Sequence, residues 1–338
     1  MFIIVAHHYV VNSGLLDVIV ENGFMKPNSI FLLLFGWGGK TGINCFVLIS
    51  GYFMCKSHIT VKKFLKILLE IYFYRILFYL IFLFTGYSEF TAKSFVKLII
   101  PFTRLQTNFA SCYIVFFLFI PFLNILIQHM DKKQHISLIL LSVLVMVIVP
   151  TLNMEVGYSY VSWFMIIYII GSYIRLYPCK WFDNKKISGI LTIVSLLISW
   201  CSVIAGAWVS EKYNKNIYYY FVADSNKILA VVTAVCAFCF FKNLNIKYNK
   251  FINTVAASCF GVLLIHANSD TMRQWLWNDV LNNTAQYNSD YLVIHALASV
   301  LGIYIVCTII DILRIKFVEK PFFKLYDKKY SLTIENKS

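Results

Sequence analysis

Residues 64–86 read FLKILLEIYFYRILFYLIFLFTG, an apolar run whose only charged members are Lys66, Glu70 and Arg75. A helix of about 20 mostly apolar residues is long enough to cross the hydrocarbon core of a bilayer. The run therefore predicts a membrane-spanning helix. Eight further runs make the same prediction, at residues 30–54, 111–130, 136–151, 160–177, 187–209, 222–241, 251–268 and 291–313.

The opening residues, Met1 to Val11, form a tenth apolar run that is about half a span long. It has neither the basic n-region nor the small-residue cleavage site of a signal peptide. We therefore expect an all-α, polytopic helical membrane protein with about ten transmembrane helices, the first of them truncated.

The composition agrees with this expectation. The chain has 338 residues, of which 59% are hydrophobic and 14% charged, and its mean hydropathy is +0.71. Soluble domains carry about 25% charged residues, so the apolar excess must face lipid or other helices. The formal net charge of +14 comes from short clusters between the apolar runs. These clusters indicate which side of the membrane each connection faces, and they favour anionic lipid as a partner. The lack of a basic-aromatic module argues against nucleic acid as a partner.

Lysine and arginine are unevenly distributed among the connections. With a cytoplasmic amino terminus, twenty lie on the cytoplasmic side and seven on the outer side. The positive-inside rule favours this orientation, which requires the half-length first run to count as a span. We expect residues 1–313 to form the transmembrane bundle and 314–338 a basic cytoplasmic tail. On the outer side, residues 86–110 contain SFVKLIIPF, which Pro101 interrupts. This favours an interfacial or re-entrant segment.

Titratable groups inside apolar spans are costly and therefore mark functional candidates. Four stand out, namely His7, His8, Lys40 and Arg75. Imidazole is the side chain best suited to exchange protons near neutral pH. Adjacent helical residues point about 100° apart, so we expect only one of the two histidines to face an internal cavity.

Three other titratable residues are interpreted differently. Glu70 lies five positions from Arg75, so the two face different sides of their helix and should not pair well. His266 and His295 lie near outer span ends, where interfacial hydrogen bonding accounts for them. The residues alone leave two functions open, proton-coupled transport and membrane-embedded acid/base catalysis.

Several segments, in order along the chain, resemble the acyltransferase 3 family of integral membrane proteins, many of which O-acylate bacterial surface sugars. The segment richest in family features is GINCFVLISGYF, which is similar to a stretch ending in Ser-Gly-Tyr. The full set is IIVAHHY (3–9), GINCFVLISGYF (42–53), CYIVFFLFIPFLN (112–124), YIIGSYIR (168–175), ASCFGVLLIH (257–266) and EKPFF (319–323).

The resemblance implies a general base at His8, which Tyr9 follows, with His7 as the fallback. It implies no bound cofactor, an acyl-CoA donor (usually acetyl-CoA) reaching the site from the cytoplasm, and a saccharide or lipid-linked saccharide acceptor at a bacterial cytoplasmic membrane. It leaves the acceptor sugar and the oligomeric state open. The candidate substrate-binding residues are Lys40, Asn44, Ser50, Tyr52, Arg75 and Glu319.

Two features depart from the family pattern. The family's arginine ten residues before the histidine would fall ahead of Met1, and lysines follow the Ser-Gly-Tyr stretch where arginines are usual. Lysine binds phosphate as a point charge and not bidentately. Together with the short first run, the missing arginine predicts that translation starts upstream; a stop codon directly before Met1 would contradict this.

Two alternatives to an acyltransferase remain, an inactive relative and a polysaccharide transporter or flippase. The positions of His8, Lys40 and Arg75 separate transfer from transport. Their convergence on one cavity open to the cytoplasm favours acyl transfer. Their separation along a two-sided channel favours transport.

Overall fold

The computed structural model describes residues 1–100, 105 and 108–335, with side chains up to Lys329. Pro101 of the expected interfacial segment lies outside these residues, as do Arg104 and Lys337, two of the cations counted on the outer and cytoplasmic sides. The described residues form helices and no strand, so the predicted all-α fold is confirmed. The helices are α1 Phe2–Val11, α2 Leu15–Asn22, α3 Pro27–Gly36, α4 Gly39–Met54, α5 Val61–Phe84, α6 Ala92–Ile99, α7 Phe109–His129, α8 Lys132–Thr151, α9 Tyr160–Leu176, α10 Lys185–Tyr213, α11 Ile228–Lys242, α12 Lys250–His266, α13 Asp270–Gln286, α14 Leu292–Arg314 and α15 Lys320–Glu335.

Six candidate spans among the described residues meet the length and composition of a membrane crossing. The number rises to eight if two bent helix pairs each count as one span, and α9 and α11 are shorter apolar helices. The exact number of about ten crossings is therefore not confirmed. The number and length of its apolar helices nevertheless make the protein a multi-pass membrane protein.

The half-length first run has a continuation that hydropathy does not show. α1 is followed by α2 after a bend of 57°, and the two together pass the test for a span. Asp17, Glu21 and Asn22 make α2 too polar to extend the apolar run in the sequence. The first run is thus one arm of a broken helix pair.

Successive long helices run in opposite directions, so the connections gather on two faces. We term the face with residues 55–60, 130–131, 177–184, 243–249 and 315–335 the basic face. The opposite face carries residues 12–26, 85–100, 105, 108, 152–159, 214–227 and 267–291. Lys62 pairs with Asp327 on the basic face at 2.7 Å. On the opposite face the amide of Met25 donates to Glu211 at 2.7 Å.

α4 and α9 pack with their backbones in close approach. A Cβ atom at Gly51 would lie 2.5 Å from the carbonyl oxygen of Tyr168, and one at Gly171 would lie 2.7 Å from that of Leu48. Small residues that let helix backbones meet are typical of membrane-helix interfaces. This contact fixes α4, whose first turn lines the candidate site.

A buried ion cluster joins α14 to α5 near the basic face. The Arg314 guanidinium lies 2.7 Å from Asp311, 2.8 Å from Glu319 and 3.4 Å from Glu70. Lys66 reaches Glu319 at 2.8 Å. Buried charges are stable in a protein only when they are paired in this way.

Candidate functional site

A cavity of about 570 Å³ lies between α1, α4, α5, α6 and α12. Its lining reaches from mid-span residues to the opposite face, where Ser88, Asn108 and Asn268 contribute. We term it the histidine cavity, because His7 and His8 both line it. Its volume is in the range of small-molecule sites.

The prediction that only one of these histidines faces a cavity is wrong. The histidine cavity is lined by Lys40 of α4 on one side of α1 and by Leu263 of α12 on the other. The cavity therefore spans an arc around α1 that is wider than 100°, the angle between neighbouring side chains on a helix, so both histidines reach it.

His7 is held by the junction of α3 and α4. Its Nδ1 lies 2.6 Å from the carbonyl oxygen of Gly36. A Cβ atom at Gly39 would lie 2.2 Å from Cγ of the His7 ring, so the imidazole occupies space that only glycine leaves free. Because a carbonyl only accepts, Nδ1 of His7 carries a hydrogen, and in the neutral ring Nε2 carries the lone pair.

His8 contacts a third histidine across the bundle. Its Nδ1 lies 2.9 Å from Nε2 of His266, and Nδ1 of His266 lies 2.5 Å from the carbonyl oxygen of Val262. His266 is fully buried, so its interpretation as an interfacial residue is corrected here. Its position at the end of α12 was visible in the sequence, but its partner on α1 was not.

Lys40 lies in the first turn of α4 and lines the histidine cavity. Its Nζ donates to the Tyr160 hydroxyl at 2.8 Å and lies 3.7 Å from a carboxylate oxygen of Asp224. Its side chain is 22% exposed, so the ammonium is partly neutralised and still reaches the cavity.

Arg75 caps the carboxyl-terminal end of α6. Its Nη2 donates to the carbonyl oxygens of Lys97 and Ile100, the latter at 3.1 Å. The amphipathic segment expected on the outer side is thus the short helix α6, held over the cavity by Arg75. Glu70 pairs with Arg314 and not with Arg75, as predicted.

The charges around the histidine cavity are mostly positive. Lys40, Arg75, Lys97 and Arg273 line it together with Asp270, and Arg273 lies 3.0 Å from Asp270. Such a surplus of positive charge favours an anionic ligand. The sequence did not mark Lys97 and Arg273 as site candidates, because they lie in or beside connections, where basic residues are ordinary.

The remaining four candidates line neither described cavity. Asn44 donates to the Ser225 carbonyl at 2.7 Å and accepts from Trp163 at 2.9 Å. Ser50 bonds the Tyr113 hydroxyl at 2.9 Å. Tyr52 and Glu319 form contacts of their own, the first with Arg175 at 3.0 Å and the second within the ion cluster. All four hold helices together in this structure.

A second cavity of about 460 Å³ adjoins the first and shares His7, Val11 and Lys40 with it. Its other wall is the 214–227 connection, including three consecutive tyrosines at 218–220. Among the residues that the structure describes, no group of three or more His, Cys, Asp or Glu side chains could hold a metal ion.

A family model described as an acyltransferase domain matches residues 1–311. Neither the curated proteins nor the solved structures give a significant match.

Proposed function

The chain belongs to the acyltransferase 3 family, and from this we propose that it is a membrane O-acyltransferase of a bacterial cytoplasmic membrane. The donor is an acyl-CoA, with acetyl or another short acyl group. The acceptor is a sugar hydroxyl of a surface polysaccharide or of its lipid-linked precursor. The observation that carries the proposal is the convergence of His7, His8, Lys40 and Arg75 on one cavity.

The chemistry needs a base and a positive environment. His8 Nε2 takes the proton of the acceptor hydroxyl while the hydroxyl oxygen attacks the thioester carbonyl. The carbon–sulfur bond breaks, the ester forms and the thiolate of CoA leaves with the proton. The cations of the histidine cavity attract the phosphates of the donor. Positioned acid/base catalysis of this kind contributes about 10²–10⁴-fold in rate.

The convergence on one cavity meets half of the criterion for transfer, and separation along a two-sided channel is not seen among the described residues. The other half, an opening to the cytoplasm, is not met, because the cavity opens on the face that the charge asymmetry assigns to the outside. Its described lining residues include none from the connections of the basic face. We assign the open side to the acceptor, and the tyrosines at 218–220 supply the aromatic and polar surface that a sugar binds. An acyl-CoA arriving from the basic face reaches His8 only after the helices there move apart.

The test compares cells that lack the gene with cells rescued by wild type, His8→Ala, His7→Ala or His58→Ala. The readout is ester-linked acetyl on surface glycan, together with transfer of labelled acetyl from acetyl-CoA in isolated membranes. We expect His8→Ala to lower transfer by about 100-fold or more. His58 is exposed on the basic face, so His58→Ala controls for the loss of a histidine away from the cavity.

Three outcomes would contradict parts of the proposal. Full rescue by His8→Ala but not by His7→Ala moves the base to His7. If His8→Ala and His7→Ala each rescue acylation fully, neither histidine is required as the base. If wild type leaves acylation unchanged with every short-chain acyl-CoA supplied, the protein is a transporter or an inactive relative.

A further inference from the structure

We propose that His266 is a positioning residue, which fixes the tautomer of His8 and thereby leaves the basic nitrogen of His8 facing the cavity. This inference rests on the proposed role of His8 as the general base. Nothing in the sequence pattern pairs the two histidines, which lie 258 positions apart.

The first step is the proton on His266. Its Nδ1 lies 2.5 Å from the carbonyl oxygen of Val262, and a carbonyl oxygen only accepts hydrogen bonds. Nδ1 of His266 therefore carries a hydrogen. Val262 precedes His266 by one helical turn, so α12 itself sets the orientation of this ring.

The second step is the charge of His266. The residue is fully buried, and no carboxylate bonds it among the residues with described side chains. A buried imidazolium without a carboxylate partner is costly. The neutral ring, with its proton on Nδ1, has its lone pair on Nε2.

The third step is the tautomer of His8. Nε2 of His266 lies 2.9 Å from Nδ1 of His8, and a hydrogen bond at this distance needs one donor and one acceptor. Since His266 can only accept there, Nδ1 of His8 donates. The neutral His8 then carries its lone pair on Nε2, the nitrogen that a general base requires.

His266 is not a lining residue of either described cavity, whereas His8 lines the larger one. The ring centroids of the two imidazoles lie 5.0 Å apart, so His266 backs His8 from inside the bundle. His7 differs in this respect, because its Nδ1 donates to a backbone carbonyl. A change at His266 therefore acts on the tautomer of His8 and leaves that of His7 as an internal reference.

The test pairs His266→Leu with His266→Gln. Both side chains are close to histidine in length, but only glutamine offers an oxygen acceptor. With labelled acetyl-CoA and purified wild type as reference, we expect His266→Leu to lower kcat by about 100-fold, with KM within about threefold. A wrong imidazole tautomer has effects of this order or larger in a serine protease triad. His266→Gln should stay within about tenfold of wild type.

His295→Leu is the matched control, because Nδ1 of His295 bonds the hydroxyl of Tyr9, the residue next to His8, at 2.8 Å. It removes an imidazole bond to α1 without touching His8. If the role of His266 were only to pack α1, His295→Leu and His266→Leu would lower kcat alike. We expect His295→Leu to stay within about tenfold of wild type.

Nitrogen-15 NMR of histidine-labelled protein reads the tautomer directly, with His8→Ala assigning the signal. We expect a protonated Nδ1 on His8 in wild type and in His266→Gln, and a mixture of tautomers in His266→Leu. A protonated Nε2 on His8 in wild type overturns the inference, as does full activity of a folded His266→Leu. Because the spectrum requires no activity, it decides the inference even if the proposed transferase function fails.

Discussion

Gly39 shows how a single hydrogen atom in place of a side chain shapes the candidate site. The His7 ring lies where the Cβ of any other residue would be, and Lys40, which lines both cavities, comes next in the chain. Two cavity-lining residues therefore depend on one position that bears no chemistry of its own.

We expect Gly39→Ala to destabilise the protein by about 1–3 kcal/mol, the usual cost of overpacking. The added methyl must displace the His7 ring and break its hydrogen bond to Gly36. Thermal unfolding in detergent measures the loss. Gly302→Ala is the control, because a Cβ there meets nothing within 4 Å. Equal stability of the two variants would show that the His7 ring does not fill the space beside Gly39.

At this scale the sequence predicted part of the candidate site. His7, His8, Lys40 and Arg75 were singled out as charged or titratable groups in apolar runs, and all four line the histidine cavity. Hydropathy shows which residues lie in a span, but it does not show which side of the helix faces a neighbour. For that reason the partnership of His266 with His8 stayed hidden. Asn44 and Ser50, which the family resemblance named as candidates, line neither described cavity.

At the scale of elements, the contact between α4 and α9 depends on backbone meeting backbone. The neighbour of Gly51 is a carbonyl oxygen of the facing helix, which cannot rotate away as a side chain can. Ser50 and Tyr52 on either side bond to other helices. The Ser-Gly-Tyr stretch is thus a packing element in this structure.

We expect Gly51→Ala to destabilise the protein more than Gly39→Ala does, by at least about 3 kcal/mol. Overpacking usually costs about 1–3 kcal/mol, and here the whole of α4 or α9 must shift. The same unfolding assay ranks the variants, with Gly302→Ala as the most stable. A Gly51→Ala protein as stable as Gly302→Ala would contradict the close approach of these helices.

The predicted run 30–54 is divided between α3 and α4, and α11 begins at Ile228, six residues after the run 222–241 does. Hydropathy located the other eight predicted runs to within a few residues of a single helix. It missed α2 and the bend before it, because acidic and amide side chains interrupt the apolar pattern there. Bends and short polar helices depend on contacts with the rest of the bundle, and a periodic pattern in one segment does not contain those contacts.

On the scale of the whole molecule, the two faces differ in charge and in access. The basic face carries most of the cations, whereas the connections that reach the histidine cavity belong to the opposite face. If the basic face is cytoplasmic, as the positive-inside rule favours, then the histidine cavity opens to the outside of the cell membrane, and the proposed acceptor would enter from there.

Substituted-cysteine labelling tests this orientation. Lys215 and Lys247 are both exposed, the first on the opposite face and the second on the basic face. We expect a membrane-impermeant maleimide to label Lys215→Cys in intact spheroplasts, and Lys247→Cys only after permeabilisation. The unsubstituted chain, with its nine native cysteines, gives the background. The reverse pattern would place the histidine cavity on the cytoplasmic side.

The ion cluster between α5 and α14 also constrains biosynthesis. Tyr74 of α5 bonds Asp311 of α14 across 237 positions of sequence, and Glu70 pairs with Arg314 in the same cluster. Ribosomes add about 5–20 residues per second, so α5 waits roughly 10 to 50 seconds for α14. During that interval the cation nearest to Glu70 in sequence is Lys66, one turn earlier on the same helix, and a carboxylate without its final partners is costly in a bilayer unless it takes up a proton. We expect the nascent chain to keep α5 beside the insertion machinery or near water, or to keep Glu70 protonated, until α14 arrives.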